Sequence, residues 1–289
     1  MGGERAEAEE TAAEWADGRA CCLGIDEAGR GPVLGPMVYG AAFCAVERKE
    51  ELRTLGFADS KTLNEERRDK LFELIASTPW LGAHVEALSA ADISSRMLAP
   101  ERESLNALAN ESTFALIQRA LDLGVRLVEV FVDTVGDADK HKARLEARFP
   151  GPAFTVCSKA DSIFPIVSAA SIVAKVTRDQ SMKDCKLAEP GLAMVGALGS
   201  GYPADPDTKL WLQTNADHVF GYPNILRFSW QTATRAIKEK CAHARWEVDE
   251  EDGQDNKLPF GGSGSKRPSS GVGRHSFFKS RKLQRVAAF

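Results

Sequence analysis

The sequence has 289 residues, of which 43% are hydrophobic and 27% are charged, and its formal net charge is −4. This length and apolar content allow one large folded domain or two. The sequence contains no apolar run of the ~18 residues that a membrane-spanning helix needs, and its net charge argues against a uniformly basic nucleic-acid-binding protein. Six cysteines without a C-x-x-C pair indicate reduced thiols in an intracellular protein.

The charge is strongly partitioned along the chain. Residues 1–20 contain six acidic and two basic residues, residues 247–260 contain six and one, and residues 261–289 contain seven basic residues and no acidic one. These compositions predict a disordered acidic N-terminus (1–20), a flexible linker (247–273) and a basic, aromatic tail (274–289). An apolar and basic tail that follows a linker is typical of a segment that docks on a partner protein.

Strands and helices alternate between these two ends. The pattern of apolar residues predicts strands that end at residue 27 and over 33–46, 80–88, 127–133 and 154–157. It predicts helices over 64–75, 90–98, 103–123, 162–185 and 208–214, and a last helix that is capped by Ser229 and extends to residue 241. This alternation indicates an α/β fold.

Carboxylates stand where several of these segments end. Asp26 and Glu27 end the first strand, Asp133 ends the fourth, and Asp161 lies at a strand-to-helix junction. In an open α/β sheet such ends meet at one edge. Because neighbouring carboxylates raise one another's pKa, an ionised cluster needs divalent cations, and oxygen ligands favour Mg²⁺ or Mn²⁺ over zinc. Two such ions suit phosphodiester hydrolysis.

Each acid also has a simpler interpretation. Asp161 could cap a helix, Asp133 could belong to a turn, and Asp26 and Glu27 could form a surface pair. Taken singly, each of these alternatives is a good explanation. Three acids that follow apolar strands favour the metal site over the alternatives.

The glycine-rich loop over 29–35 follows the first pair of acids. It resembles a dinucleotide-binding loop, but its third glycine is one place late for G-x-G-x-x-G and Pro32 blocks the helix that should begin there. The loop instead offers backbone N–H groups and the Arg30 guanidinium to a sugar-phosphate backbone. Tyr202, in a second glycine-rich loop, could stack on a sugar or base edge, or could be an ordinary tyrosine at the rim of a site.

Several blocks of sequence, all in the same order, resemble type-2 ribonuclease H, the ribonuclease HII family. They are residues 26–32, 58–63, 131–133, 159–161, 168–175 and 199–203. The resemblance runs from about residue 21 to residue 246 and is far more specific than any single motif. Three further runs favour the eukaryotic branch of the family, namely residues 36–39, 133–136 and 227–230.

The resemblance implies an α/β, ribonuclease H-like fold with a mixed central sheet flanked by helices. The catalytic domain would cover 21–189 and a helical C-terminal extension would cover 190–246. The family's four metal-binding acids match Asp26, Glu27, Asp133 and Asp161. Substrate contacts match Gly29, Arg30 and Gly31, which would read the ribonucleotide 2′-OH, Tyr202 at the RNA-to-DNA junction, and Lys61, Asn106, Lys175 and Arg178. Family members often carry Tyr-Asn-Leu-Asn where this chain has Glu-Ser-Leu-Asn, and of these positions only Asn106 keeps the expected polar contact to the nucleic acid.

By the same resemblance the chain would be a Mg²⁺-dependent endoribonuclease, with Mn²⁺ able to substitute. It would cut the RNA strand of RNA–DNA hybrids and nick duplex DNA 5′ of single ribonucleotides, in ribonucleotide excision repair and in the removal of RNA primers. It would be nuclear and would form a heterotrimer with two accessory subunits (B and C). Two alternatives from other classes are an NAD-dependent oxidoreductase and a scaffold protein without catalytic activity.

Overall fold

A computed structural model describes most of the chain between residues 18 and 242. The described ranges are 18–57, 63–134, 136–185, 187–189 and 194–242. Residues 1–17, Lys61, the predicted linker and the predicted docking tail lie outside these ranges. The predictions made for those segments are therefore neither confirmed nor contradicted.

A five-stranded sheet forms the centre of the described chain. Its strands are β1 (Ala20–Ala28), β2 (Met37–Ala45), β3 (Gly82–Leu88), β4 (Arg126–Asp133) and β5 (Ala153–Cys157). They lie in the order β3-β2-β1-β4-β5, with antiparallel pairing from β3 to β1 and parallel pairing from β1 to β5. The sheet is mixed, as predicted, and the carboxyl ends of β1, β4 and β5 lie at one edge.

Eight α-helices are present in the described residues. They are α1 (Lys49–Thr54), α2 (Glu65–Ser77), α3 (Ala90–Leu98), α4 (Leu105–Asp122), α5 (Ala138–Arg148), α6 (Pro165–Lys183), α7 (Pro206–Thr214) and α8 (Gln231–Lys240). Side-chain oxygens cap the N-termini of five of them and satisfy backbone N–H groups there, from Asn64, Ser89, Ser104, Asp137 and Asp205. None of the helices described is long and apolar enough to cross a membrane.

Helix α6 packs closely on β1 and β2 because the facing residues are small. A side chain at Gly24 would place its Cβ 2.5 Å from the Ile166 carbonyl carbon, and one at Gly40 would place it 2.4 Å from the Ala170 carbonyl oxygen. The helix backbone cannot turn aside as a flexible side chain can. Glycine at both positions therefore permits the approach that brings α6 against the acidic end of β1.

A second hydrophobic cluster underlies the C-terminal region. Its buried members are Val33, Leu34, Met182, Leu198, Trp211, Leu212, Tyr222, Leu226 and Ala233. Leu34 and Leu226 form an isolated antiparallel bridge, and the Arg227 backbone N–H donates to the Val33 carbonyl oxygen at 2.8 Å. The chain that follows β1 is thus anchored to the C-terminal helices. The predicted domain boundary after residue 189 stays a prediction.

Two predicted element boundaries differ from those in the structure. The second strand begins at Met37 rather than at residue 33, because Val33 and Leu34 belong to the C-terminal cluster. The long helix predicted from residue 162 begins at Pro165, since proline favours the first helical turn. Residues Ala160–Ser162 form a separate 3₁₀ turn.

Two other local predictions failed. Helix α5 was not predicted, because its polar sequence buries only Leu145 and gives little apolar periodicity. The cap predicted for Ser229 is wrong, because Trp230 occupies the position before α8 and makes no side-chain cap. The Ser229 hydroxyl instead donates to the Met97 sulfur at 3.5 Å.

Candidate active site

The end of β1 presents Asp26 and Glu27 to opposite faces of the sheet, as the alternation of a strand requires. Asp26 lies on the α6 side, is 4% exposed, and accepts hydrogen bonds from the Glu27 backbone N–H (2.8 Å) and the Ser171 hydroxyl. Glu27 is opposite Tyr39 in the β1/β2 register and lines a cavity of about 610 Å³. One carboxylate is therefore buried and its neighbour faces open space.

Asp133 lies beside Asp26 because β1 and β4 run parallel in register. Ile25 pairs with Val132, so the residues that follow them stand at the same level and point to the same face. The Asp133 carboxylate accepts the backbone N–H of Ala160 at 3.0 Å. This hydrogen bond ties the end of β4 to the turn that carries the fourth predicted acid.

Asp161 belongs to that turn and is 1% exposed. The preceding Lys159 has φ +59°, a left-handed conformation that redirects the chain after β5. The Ser168 hydroxyl donates to the Asp161 carbonyl oxygen and holds the turn against α6. Asp161 therefore directly follows Ala160, whose backbone N–H binds the Asp133 carboxylate.

The pKa of Asp26 reflects its burial and the negative charge of the neighbouring acids at this edge. It is raised to about 8, first by burial and then by the negative charge of Glu27, with a smaller effect from Asp133. Two hydrogen bonds, from the Ser171 hydroxyl and the Glu27 backbone, act in the opposite direction. A nearby cation would favour the ionised form of all these carboxylates.

The four acids suit a hard divalent cation, because every atom that they can offer to a metal ion is a carboxylate oxygen. In the described part of the chain, no three His, Cys, Asp or Glu side chains converge closely enough to form a metal site as they stand. Burial and the neighbouring negative charges raise the pKa of Asp26, and a bound divalent cation would offset both effects. Metal binding by Asp26, Glu27, Asp133 and Asp161 therefore stays a prediction that the chemistry of the site supports.

The loop after β1 needs glycine at the positions singled out in the sequence. Gly29 has φ +77°, and a Cβ there would lie 2.7 Å from the Pro36 carbonyl oxygen. A Cβ on Gly31 would lie 3.2 Å from the edge of the Tyr202 ring. The structure therefore brings this loop and Tyr202 into contact, beside the acids.

Arg227 organises this loop, a role that its sequence context did not predict. The side chain is fully buried, although 198 residues separate it from Gly29. Its guanidinium donates to three carbonyl oxygens of the loop, those of Gly29 (2.6 Å), Arg30 (3.0 Å) and Gly35 (2.9 Å). The centre of the Trp230 ring lies 4.9 Å from the Cζ atom of the guanidinium. The Trp230 indole N–H donates to the Gly31 carbonyl oxygen at 3.2 Å. No local pattern could have predicted this long-range contact.

Arg178 holds the second glycine-rich loop rather than facing open solvent. It is 8% exposed, pairs with Asp179 at 2.9 Å and donates to the Ser200 carbonyl oxygen. Its guanidinium lies 5.8 Å from the centre of the Tyr202 ring, which is 44% exposed. Tyr202 is therefore restrained from one side and accessible from the other, and the phosphate contact predicted for Arg178 stays a prediction.

The remaining residues predicted to contact substrate are Arg30, Asn106, Lys175 and Lys61, and they do not share one environment. The Arg30 guanidinium donates to the Asn106 side-chain oxygen, and both residues line the cavity with Glu27. Lys175 is half-buried on α6. Lys61 lies outside the described residues.

Comparison with known proteins identifies the family. The sequence pattern of the family described as Ribonuclease HII matches residues 23–233. The chain belongs to the ribonuclease HII family.

Relatives and a solved structure agree with this membership. The A subunit of ribonuclease H2 from Arabidopsis thaliana is 45% identical over 295 residues, covering 96% of this chain and 97% of the relative. The Homo sapiens protein of the same name is 47% identical over 227 residues, covering 78% and 76%. The ribonuclease H2 of Pyrococcus horikoshii OT3 matches in structure with a TM-score of 0.64 and 33% identity, over 76% of this chain and 98% of that one. The predicted membership of type-2 ribonuclease H, in its eukaryotic branch, and the predicted α/β fold are confirmed.

Proposed function

We propose that this ribonuclease HII family member hydrolyses the RNA strand of RNA–DNA hybrids and incises duplex DNA 5′ of single ribonucleotides. The products would be a 3′-hydroxyl and a 5′-phosphate. The observation that supports the proposal is the gathering of Asp26, Glu27 and Asp133 beside a cavity that Arg30 and Asn106 also line. Such a site serves ribonucleotide excision repair and primer removal, and we place the protein in the nucleus on that ground.

The four acids would hold two Mg²⁺ ions, with Mn²⁺ able to replace them. When bound there, the ions would supply activation of water and stabilisation of the leaving oxygen of a phosphodiester. Asp26, Asp133 and Asp161 would supply ligands, and Glu27 would orient water or complete the ligand set. The Ser171 hydroxyl and the Ala160 N–H orient two of these carboxylates before substrate arrives, as outer-shell partners of metal ligands do.

The loop 29–31 would distinguish RNA from DNA, since the 2′-OH is the group that DNA lacks at the cleaved nucleotide. Arg227 and Trp230 engage carbonyl oxygens of this loop. Among the described residues, the backbone N–H groups of Arg30 and Gly31 form no hydrogen bond with a backbone carbonyl. Those N–H groups are therefore available to a sugar hydroxyl, while Tyr202 would rest against the sugar at the RNA-to-DNA junction.

The test of the mechanism is the substitution Asp133→Asn. Removing one ligand should lower Mg²⁺-dependent nicking of a one-ribonucleotide duplex by at least about 100-fold, because even outer-shell changes at metal sites cost 10- to 100-fold. Binding of the duplex should largely persist. The assay is product formation on a denaturing gel, with and without EDTA.

Asp139→Asn is the matched control, because this exposed carboxylate is close in sequence to Asp133 but does not line the cavity. It should cleave like the original protein. Cleavage by Asp133→Asn at the original rate would remove Asp133 from the mechanism.

We further propose that the chain works in a complex with two accessory subunits (B and C), because its relatives are named as one lettered component of ribonuclease H2. The basic tail 274–289 is the predicted docking segment. Nicking of a one-ribonucleotide duplex should be stronger for the assembled complex than for the chain alone. Equal rates, or equal rates after deletion of the tail, would contradict this part of the proposal.

A further inference from the structure

We propose that Arg144 contacts a backbone phosphate of the nucleic acid, so that helix α5 forms a basic wall of the substrate groove, the cavity that Glu27 and Asp133 also line. The inference rests on the proposed function and adds a contact that neither the sequence motifs nor the resemblance assigned. It concerns binding of the substrate and not the chemical step.

Helix α5 stands directly beside the acids. Lys140, His141 and Arg144 line the same 610 Å³ cavity as Glu27 and Asp133. Residues three and four apart share one face of a helix, so this spacing directs the three side chains to the cavity together. The His141 ring nitrogen Nδ1 lies 3.4 Å from the hydroxyl of Thr134, the residue that follows Asp133, which fixes the position of the helix.

Arg144 carries the uncompensated charge on this wall. Lys140 pairs with Asp137 at 3.1 Å, and Glu111, on another part of the rim, pairs with Arg96. No carboxylate within the described ranges forms an ion pair with Arg144. A guanidinium that lacks a carboxylate partner and faces a groove for a polyanion is suited to bind phosphate.

The placement of α5 complements that of the first loop. Helix α5 packs on β5, at one end of the strand order, whereas Arg30 follows β1 and contacts Asn106 of α4. Asp133 ends β4, and β4 lies between β1, which Arg30 follows, and β5, on which α5 packs. The groove would therefore offer one arginine to the nucleic acid on each side of the acids, which helps a chain of negative net charge to bind a polyanion.

Lys142 provides an internal comparison. It is on the same helix and carries the same charge as Lys140, but it pairs with Glu146 at 3.7 Å and does not line the cavity. If α5 acted only through its general positive charge, Lys142 and Arg144 would matter equally. If Arg144 binds a phosphate directly, its substitution must weaken binding of the hybrid more than substitution of Lys142 does.

The experiment measures binding of a fluorescein-labelled RNA–DNA hybrid by fluorescence anisotropy in Mg²⁺, with the full-length chain carrying Asp133→Asn. Arg144→Gln, Arg144→Lys and Lys142→Gln are compared from roughly 50 to 200 mM salt. Loss of one phosphate contact should reduce the slope of log Kd against log salt by about 0.9 and raise Kd about 5-fold. Arg144→Lys should keep most of the slope, and Lys142→Gln should change Kd less than about 2-fold.

Identical slopes and Kd values for Arg144→Gln and Lys142→Gln would overturn the inference, as would a parent protein that fails to bind the hybrid. A gel of the same samples keeps the two proposals apart. Cleaved hybrid in the Asp133→Asn samples would count against the proposed mechanism, whereas the Arg144 comparison would still report on binding. Thermal melting of each variant confirms that the exposed substitutions leave the fold intact.

Discussion

Arg227 is a buried charge whose partners are all backbone carbonyls. Burial, with a smaller effect from the positive charge of Arg178, lowers the pKa of Arg227 to about 10. A planar guanidinium has five donors in a fixed fork, so one side chain can reach several carbonyl oxygens of the loop at the same time. The buried arginine therefore fixes the carbonyl oxygens of the loop. In the proposed function, the backbone N–H groups of the loop would face the substrate.

Arg227→Lys tests this role. Lysine keeps the charge but cannot span three carbonyl oxygens, so we expect the free energy of unfolding to fall by about 3 kcal/mol, because buried polar groups lose their partners. We also expect discrimination between one-ribonucleotide and all-DNA duplexes to weaken at a temperature where the variant is folded. Urea unfolding and paired cleavage assays measure the two effects.

Arg235→Lys is the control for the same substitution, because Arg235 is exposed on α8. It should change neither quantity. An Arg227→Lys protein with the original stability and discrimination would show that the carbonyl contacts contribute nothing to the loop.

At the scale of the elements, the contact of α6 with β1 and β2 sets the geometry of the acids. Twelve of the 19 residues of α6 are buried, which an amphipathic surface helix would not show. The helix brings Ser171 to Asp26 and, through Ser168, holds the turn of Asp161. A small displacement of α6 would therefore disturb two of the predicted metal ligands together.

Gly24→Ala should displace this helix. The new methyl group would meet the α6 backbone at 2.5 Å, and overpacking of this kind costs about 1 to 3 kcal/mol. We expect about 3 kcal/mol from urea unfolding, because backbone cannot rotate away, together with reduced cleavage. Gly136→Ala, where an added Cβ meets nothing within 4 Å, should leave stability unchanged. Equal stability of the two variants would refute the close-packing argument.

At the scale of the whole molecule, buried titrating groups make stability depend on pH in two opposite ways. Burial lowers the pKa of His84 from 6.5, so the folded state resists a proton that the unfolded chain accepts. This group costs stability as pH falls below about 6.5. Without a bound cation, the pKa of Asp26 is raised from 3.8 to about 8, so the folded state favours the proton. The stability that this group contributes is complete below about pH 4 and is lost as pH rises from there to about 8.

His84→Gln isolates the first effect. His84 Nε2 lies 3.0 Å from the Leu116 carbonyl oxygen, and the glutamine amide can keep a donor there without titrating. The variant should lose less unfolding free energy than the original protein between about pH 7 and pH 5, as measured by urea titrations. His218→Gln, at an exposed histidine, is the control and should keep the original slope. A His84→Gln slope equal to that of the control would contradict the assignment.

The sequence by itself determined the features that depend on neighbouring residues. Asp26 and Asp133 lie at the ends of apolar strands, Asn64 caps a helix, and helix α3 has the predicted limits. These features could be predicted because strand alternation, caps and helical periodicity are local properties of the sequence. The motifs also indicated the family, since several blocks in one order are far more specific than any single block.

Only the tertiary structure decided which distant residues meet. It brought Arg227 to the loop after β1, placed Val33 in the C-terminal cluster rather than in the second strand, and placed Arg144 on the wall of the cavity beside Glu27 and Asp133. No periodicity predicts such contacts, because they depend on how separate elements pack and on which buried polar groups find partners. The acids were readable from the sequence, whereas the residues that hold and surround them became visible only in the fold.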